Sequence, residues 1–246
     1  MEYLVVIIGF IIGALLVEWF ASRARRRDAH DDAHDDEHRE PTPWQPPRAH
    51  LPPLAQAVLR FFPVTTAFIA VCVVIALLTG LGRPGPLVDA LQIAGPLDRG
   101  LDGVLSGQVW RLITPIFLHF GPMHLFFNMF MLWDLGRLVE HLKGSRFMLL
   151  FTLLVGIASN LAQYLLAGSP DFGGMSGVLY GFFGYVWMQG KYNPRFGITL
   201  TQHTVVLMLG WFALCWTGLL GPIANWAHTG GLVAGAAWGY YRRGGR

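Results

Sequence analysis

Two stretches decide the fold of this chain: Gly173-Gly174-Met175-Ser176-Gly177 and, further along, Ala227-His228-Thr229-Gly230-Gly231. Each begins an apolar segment, and in lipid such a segment is expected to be helical because every backbone polar group must be satisfied internally. Both segments carry glycines three or four residues apart, which give a helix a flat face for close packing. The glycines are Gly177, Gly181 and Gly184 in the first segment and Gly231, Gly235 and Gly239 in the second. Close packing of these faces predicts that the Ser176 hydroxyl comes within hydrogen-bond reach of the His228 imidazole, placing a nucleophile and a base inside a membrane.

The composition is that of a polytopic membrane protein. Of the 246 residues, 53% are hydrophobic and only 13% are charged, and the mean hydropathy is +0.44. Several apolar runs approach the roughly 20 residues that a membrane-spanning helix needs. The net charge of +3 arises in loops and tails, so it bears on membrane topology and indicates no nucleic-acid partner. Cys72 and Cys215 lie within apolar runs, where a stabilising disulfide is not expected.

The N-terminal part of the chain predicts an anchor followed by a linker. Residues 1–21 are largely apolar and precede a run of arginines, which is typical of an accessory transmembrane helix with a cytoplasmic end rather than a cleaved signal peptide. Residues 22–56 are polar and then proline-rich, and they predict a disordered cytoplasmic linker. His30, His34 and His38 recur among carboxylates in this linker, but a solvated segment is the preferred interpretation, and no metal site is predicted.

The remaining chain predicts a helical core over residues 57–241 and a cytoplasmic tail over 242–246. The apolar runs place six core helices at about 61–81, 122–141, 147–167, 176–190, 200–219 and 226–241. A long segment, residues 82–114, separates the first two core helices and is rich in Gly, Pro and Leu. Loops of this length are uncommon unless functional, and the leucines of this one predict a partly interfacial position.

The positive charges predict the orientation of these helices. With the linker in the cytoplasm, the turns between the second and third and between the fourth and fifth core helices are cytoplasmic, as is the tail. Of the 18 Lys and Arg residues, those outside the cytoplasmic segments and helix ends are Arg83, Arg99 and Arg111. This distribution satisfies the positive-inside rule.

The same orientation places four polar residues at one depth. Core helices that begin near residues 122, 176 and 226 start at the outer face, so the outer half of the bilayer holds His124, Asn128, Ser176 and His228. Polar side chains are expensive in lipid and usually functional there. Their common depth predicts one shared site.

These residues resemble a known family. The stretch from His119 to Asn128 (HFGPMHLFFN), then Gly174-Met175-Ser176-Gly177 and Ala227-His228-Thr229-Gly230-Gly231, is similar to the signature of the rhomboid intramembrane serine proteases of the bacterial GlpG type. Trp110-Arg111 in the long segment and Glu140 also fit this pattern. The likeness covers about residues 57–241 in order and spacing, so the core is expected to be a rhomboid core of six helices.

The resemblance implies a multi-pass protein of the bacterial inner membrane whose active site faces outward. It also implies an endopeptidase that cleaves transmembrane segments of other membrane proteins through an acyl-enzyme. No metal or organic cofactor is called for, and the oligomeric state is left open. The implied roles are Ser176 as nucleophile, His228 as general base, His124 and Asn128 as oxyanion donors with the Ser176 N–H, Tyr180 as the ring against the imidazole, and Gly174 as a supporting residue.

Other polar residues are predicted to be structural. Asp134 is six residues from Asn128, which turns it away from the site and about 9 Å deeper, so a tie to Arg137 is expected rather than a role as a triad acid. Glu140 is expected to cap a loop at a helix end, and His119 is given no catalytic role.

Two alternative functions and one mobile helix are also considered. A non-catalytic rhomboid-like protein that binds membrane clients is disfavoured because the serine and histidine are both present. A small-solute channel is disfavoured because the polar cluster stops halfway across the bilayer. The helix at about 200–219 and the loop Gly218 to Asn225 are predicted to form a lateral gate, held shut by Trp211, Phe212 and Trp216.

Overall fold

The computed structural model describes residues 62–242. The predicted accessory helix at 1–21, the linker at 22–56 with its three histidines, and residues 243–246 of the tail lie outside the described residues. Within 62–242 the chain is helical and contains no strand, so the all-α fold class is confirmed for this part. Its α-helices are α1 (Pro63–Leu78), α2 (Pro86–Leu91), α3 (Asp102–Leu105), α4 (Pro122–Met131), α5 (Arg137–Lys143), α6 (Ser145–Ala167), α7 (Ser176–Tyr192), α8 (Gln202–Trp216) and α9 (Asn225–Tyr241).

Helix α7 lies at the centre of the bundle. Eleven of its 17 residues are buried, including the glycines at 177, 181 and 184. Helix α9 packs directly on it: a Cβ added at Gly231 would collide with the carbonyl oxygen of Gly177, and one added at Gly235 would collide with that of Gly181. The glycine faces predicted from the sequence are therefore in backbone contact, and this prediction is confirmed.

Helix α6 covers the other side of the α7–α9 pair. Its buried residues recur at alternating intervals of three and one, as one face of an α-helix requires, and they include Val155, Ser159 and Gln163. Among the described residues, α6 is the helix that is both long and apolar enough to cross a membrane by itself, whereas α1 and α8 are apolar but shorter.

The predicted helix at about 122–141 has a more complex form. It begins at Pro122, whose missing N–H suits the first helical position, and α4 then passes into a π-helical turn, Leu132–Gly136, before α5. The turn packs closely: a Cβ at Gly136 would lie within 3.3 Å of both Met148 and Thr65. The segment is therefore helical as predicted, with a π-helical turn that the sequence analysis did not anticipate.

The segment 82–114 is also more ordered than an irregular loop. It contains α2, α3 and a 3₁₀ turn at Val109–Leu112. The buried Arg111 organises the segment, because its guanidinium donates to the carbonyls of Asp89 (2.6 Å) and Gln92 (2.8 Å) and to the Gln108 side chain (2.6 Å). The segment predicted as a long loop therefore contains short helices held together by hydrogen bonds of one arginine.

Glu140, near the end of α5, joins this helix to the starts of α1 and α6. Its buried carboxylate accepts hydrogen bonds from the N–H groups of Val64 and Thr65 at the start of α1, and from the hydroxyls of Thr65 and Ser145. Helix α1 has no side-chain hydrogen bond from its own N-cap residue, so this distant carboxylate caps its first turn. Helix α6 reaches the carboxylate through the Ser145 hydroxyl. The structural role predicted for Glu140 is confirmed, although it caps the first turn of α1 rather than a loop.

Candidate active site

Ser176 and His228 are in direct contact. Ser176 is the first residue of α7 and His228 lies in the first turn of α9, and the close α7–α9 packing brings their ends together. The Ser176 Oγ and the His228 Nε2 are 2.8 Å apart, an ordinary hydrogen-bond distance. Ser176 is half-buried and His228 is buried. The arrangement offers a hydroxyl nucleophile a base that can accept its proton.

The ring of Tyr180 lies against the imidazole of His228. Tyr180 is one helical turn after Ser176 on α7, and the two ring centroids are 4.8 Å apart with planes inclined by 38°. On its other side, Tyr180 meets the edge of Phe212 on α8 at 5.5 Å. Tyr180 therefore restricts the imidazole from below and connects the site to α8.

Nδ1 of His228 is buried and has no hydrogen-bond partner among the described residues. Asp134 does not supply one, because its carboxylate lies 3.7 Å from the Arg137 guanidinium on its own helix. The structural tie between Asp134 and Arg137 is confirmed. Among the described residues, no third side chain is therefore hydrogen-bonded to the imidazole that contacts Ser176.

His124 points its Nε2 towards the serine loop. The backbone N–H of Phe120 donates to Nδ1 of His124 (3.2 Å), so in the neutral imidazole the ring proton resides on Nε2. A Cβ added at Gly174 would lie only 2.6 Å from that Nε2. The Nε2–H of His124 thus lies beside Gly174, which is two residues before Ser176. Because Gly174 has no side chain, it leaves the space that the imidazole occupies.

The loop before Ser176 depends on its two glycines. Gly174 has φ +114°, a conformation that side chains rarely adopt, and its N–H donates to the carbonyl of Pro115 at 3.0 Å. A Cβ on Gly173 would meet the carbonyl oxygens of Pro115 and Leu118 at 2.9 Å. The loop is therefore clamped against the chain that leads into α4.

Asn128 lies on the same face of α4 as His124 but is oriented along its own helix. Its Nδ2 donates to the carbonyl of His124 at 2.8 Å, and its buried Oδ1 has no partner among the described residues. One amide hydrogen remains available for a ligand. The role of Asn128 as an oxyanion donor stays a prediction.

The sequence-based reasoning missed three polar residues around the site. Ser159 and Gln163 on α6 bond to the backbone of Ala227, beside His228, and Asn225 at the start of α9 donates to the carbonyl of Cys215. A polar residue within an apolar run is the signal that could have found the first two. Within residues 62–242, no group of three His, Cys, Asp or Glu residues is placed to hold a metal ion.

The comparisons with known proteins place this site in a family. Residues 106–244, which contain all of the proposed site residues, match the family model described as the Rhomboid domain. The chain belongs to the rhomboid family. The resemblance recognised in the sequence motifs is confirmed, and the chain is an integral membrane protein.

Similar relatives include the proteins named Rhomboid protease GlpG from Salmonella paratyphi A, Salmonella typhi and Salmonella newport. Each is 36% identical to this rhomboid over 190 residues. The match covers 77% of this chain and 66% of each relative, just under two thirds of the relatives' length.

Proposed function

We propose that this rhomboid is a serine endopeptidase that cleaves transmembrane segments of other membrane proteins within the bilayer. The observation that carries the proposal is the 2.8 Å contact between the Ser176 Oγ and the His228 Nε2 at the junction of two packed helices. The names of its GlpG relatives describe proteases and add support.

In the proposed reaction, the Ser176 hydroxyl attacks the scissile carbonyl carbon while its proton passes to Nε2 of His228. The tetrahedral intermediate then collapses: the C–N bond breaks, and the imidazolium returns the proton to the leaving amine. The product is an acyl-enzyme ester on Ser176. A water molecule hydrolyses the ester, with His228 again serving as the base. The ring of Tyr180 holds the His228 imidazole in the same orientation through both steps.

The developing oxyanion needs fixed donors because the site is poorly solvated. The Ser176 backbone N–H is one candidate, since the first amides of a helix have no intrahelical acceptor. The Nε2–H of His124 is the second, because its tautomer is set by the Phe120 amide and it lies beside Gly174. Asn128 completes the proposed set through its remaining amide hydrogen.

The proposed topology follows the charge distribution. The core crosses the membrane six times, with α4 and α5 forming one crossing and α1 and α6–α9 the others, and residues 1–21 add an accessory crossing. In the inner membrane of a bacterium, this orientation gives the site an outward opening, which admits the water that deacylation requires. We leave the oligomeric state open and propose no cofactor.

Substrates reach the site sideways past α8, which is the element best suited to move. Only two of its 15 residues, Thr204 and Cys215, are buried. The aromatic contacts that hold it are few: Phe212 meets Tyr180, and Trp216 meets Trp226 at 4.9 Å, each edge to face. An element with little buried surface opens at low free-energy cost.

A serine-reactive fluorophosphonate tests the proposed function directly. We expect the wild-type protein to be labelled on Ser176, and we expect Ser176→Ala and His228→Ala to abolish both labelling and cleavage of single-span membrane proteins while the protein stays folded. The two residues act as one unit, so the double variant should be no worse than either single variant. A client-binding protein or a solute channel predicts no labelling, and that result would refute the proposal.

A further inference from the structure

Two polar side chains on α6 are turned towards the catalytic helices. Ser159 and Gln163 are one helical turn apart on the same face, and both are buried, with exposed fractions of 2% and 8%. Polar groups buried in a membrane protein are expensive unless they are bonded. Their partners therefore indicate what they are for.

Both side chains bond to a single residue, Ala227. Its N–H donates to the Oε1 of Gln163 at 3.1 Å, and its carbonyl oxygen accepts from the Oγ of Ser159 at 3.0 Å. Ala227 immediately precedes His228. Helix α9 has no side-chain hydrogen bond at its own N-cap residue, Ala224. The Ala227 N–H also donates to the carbonyl of Ala224 at 3.0 Å, so it is shared between its own turn and α6. Gln163 supplies the side-chain acceptor that a capping residue normally provides.

Ser159 also lies against Gly177, the residue that follows Ser176. A Cβ added at Gly177, the residue after Ser176, would collide with the Oγ of Ser159 and come within 3.1 Å of the Ala227 carbonyl oxygen. The Ser159 hydroxyl thus lies between the backbone of Gly177, which follows the serine, and the backbone of Ala227, which precedes the histidine. Close α6–α9 packing keeps it there, since a Cβ at Gly230 would lie 2.6 Å from the Cβ of Ala162.

The opposite side of α9 is held less firmly. Helix α8 reaches its first turn through the hydrogen bond from Asn225 to the Cys215 carbonyl (3.1 Å) and the contact between Trp216 and Trp226. If α8 moves to admit a substrate, these contacts pull on the turn that carries His228. The bonds from α6 to Ala227 oppose that displacement.

We propose that Ser159 and Gln163 are positioning residues that fix the distance between the Ser176 Oγ and the His228 Nε2. The inference rests on the proposed function, because it assigns these residues to the same reaction. They touch the backbone beside the dyad and act only through it. A displacement of about 1 Å in a reacting group can cost roughly 100-fold in rate, so loss of either bond should appear in chemistry more than in substrate binding.

The test compares two glutamines that bond to opposite ends of α9. Gln163→Met removes, at similar volume, the acceptor that α6 offers to the Ala227 N–H, and it leaves only the Ala224 carbonyl. Gln189→Met is the matched control, because the buried Gln189 donates to the carbonyl of Gly239 at 2.6 Å, near the far end of the helix. The readouts are thermal stability and fluorophosphonate labelling of the purified full-length protein, resolved into the maximal labelling rate and the apparent probe affinity.

We expect Gln163→Met to lower the maximal labelling rate about 10- to 100-fold with little change in probe affinity. Gln189→Met should lower thermal stability but keep the maximal rate of the folded protein within about 2-fold, because a bond so far from the dyad does not set its geometry. Gln163→Glu retains an acceptor oxygen and should restore most of the rate. Ser159→Ala should also slow labelling, and it measures the effect independently if Gln163→Met does not fold.

Equal maximal rates for folded Gln163→Met and Gln189→Met would overturn the positioning role, as would a folded Ser159→Ala that labels like the wild type. Failure of Gln163→Glu to recover any rate would also count against it. An unlabelled wild-type protein is a different outcome, because it overturns the proposed function and the positioning role with it.

Discussion

The contact between Gly231 and Gly177 predicts the effect of a single methyl group. In Gly231→Ala, the new Cβ would collide with the carbonyl oxygen of Gly177 and lie 2.7 Å from its carbonyl carbon. Nonbonded carbon atoms prefer about 3.5–4.0 Å, and the obstacle is backbone, so no side-chain rotation relieves it. The helices must part locally by about 1 Å.

That separation acts directly on the dyad. Gly177 follows Ser176, and Gly231 is one turn after His228, so the 2.8 Å hydrogen bond between Ser176 and His228 lengthens with the helix spacing. An increase of about 1 Å takes it beyond hydrogen-bond range. We expect roughly a 100-fold loss of activity and a loss of about 1–3 kcal/mol in the free energy of unfolding.

Fluorophosphonate labelling and thermal denaturation of the same detergent-solubilised sample measure the two effects. Gly239→Ala is the control: its Cβ would lie 2.7 Å from the carbonyl oxygen of Tyr185, at the end of α9 far from the dyad. It should destabilise the protein while leaving the labelling rate of the folded fraction within about 3-fold. Gly210→Ala, which meets no atom within 4 Å, should be neutral or stabilising. Wild-type labelling by Gly231→Ala would refute the reasoning.

Two further predictions concern the oxyanion donors and the gate. His124→Ala should lower the cleavage rate about 10- to 1000-fold with residual activity, because the other proposed donors remain. Asn128→Ala should lower the rate less, since the Asn128 amide is partly engaged with the His124 carbonyl. A larger loss in Asn128→Ala than in His124→Ala in cleavage assays would contradict the assignment. Phe212→Ala removes the contact with Tyr180 that holds α8, so it should raise cleavage of a membrane-embedded substrate more than cleavage of a soluble peptide. Equal gains for both substrates in the folded variant would exclude α8 as the gate.

The sequence anticipated most of the helical architecture because lipid leaves few alternatives. Apolar runs located the long helices with errors of a few residues at their ends, as with α8, expected at about 200–219 and observed at Gln202–Trp216. It missed the π-helical turn at Leu132–Gly136 and the short helices of residues 82–114. These features depend on packing between segments that are distant in the sequence. A hydropathy average over neighbouring residues contains no information about such packing.

The sequence by itself indicated which side chains could react, and it predicted a common depth for them. The glycine spacing on α7 and α9 also required close contact, since only those faces lack side chains that would keep the helices apart. The tertiary structure alone decided the tautomer of His124, the helix end capped by Glu140, and the attachment of Ala227 to α6. The reason is that these bonds use backbone amides and carbonyls, which almost every residue carries. A sequence therefore shows which side chains need partners, and the packing of the helices selects which partners they find.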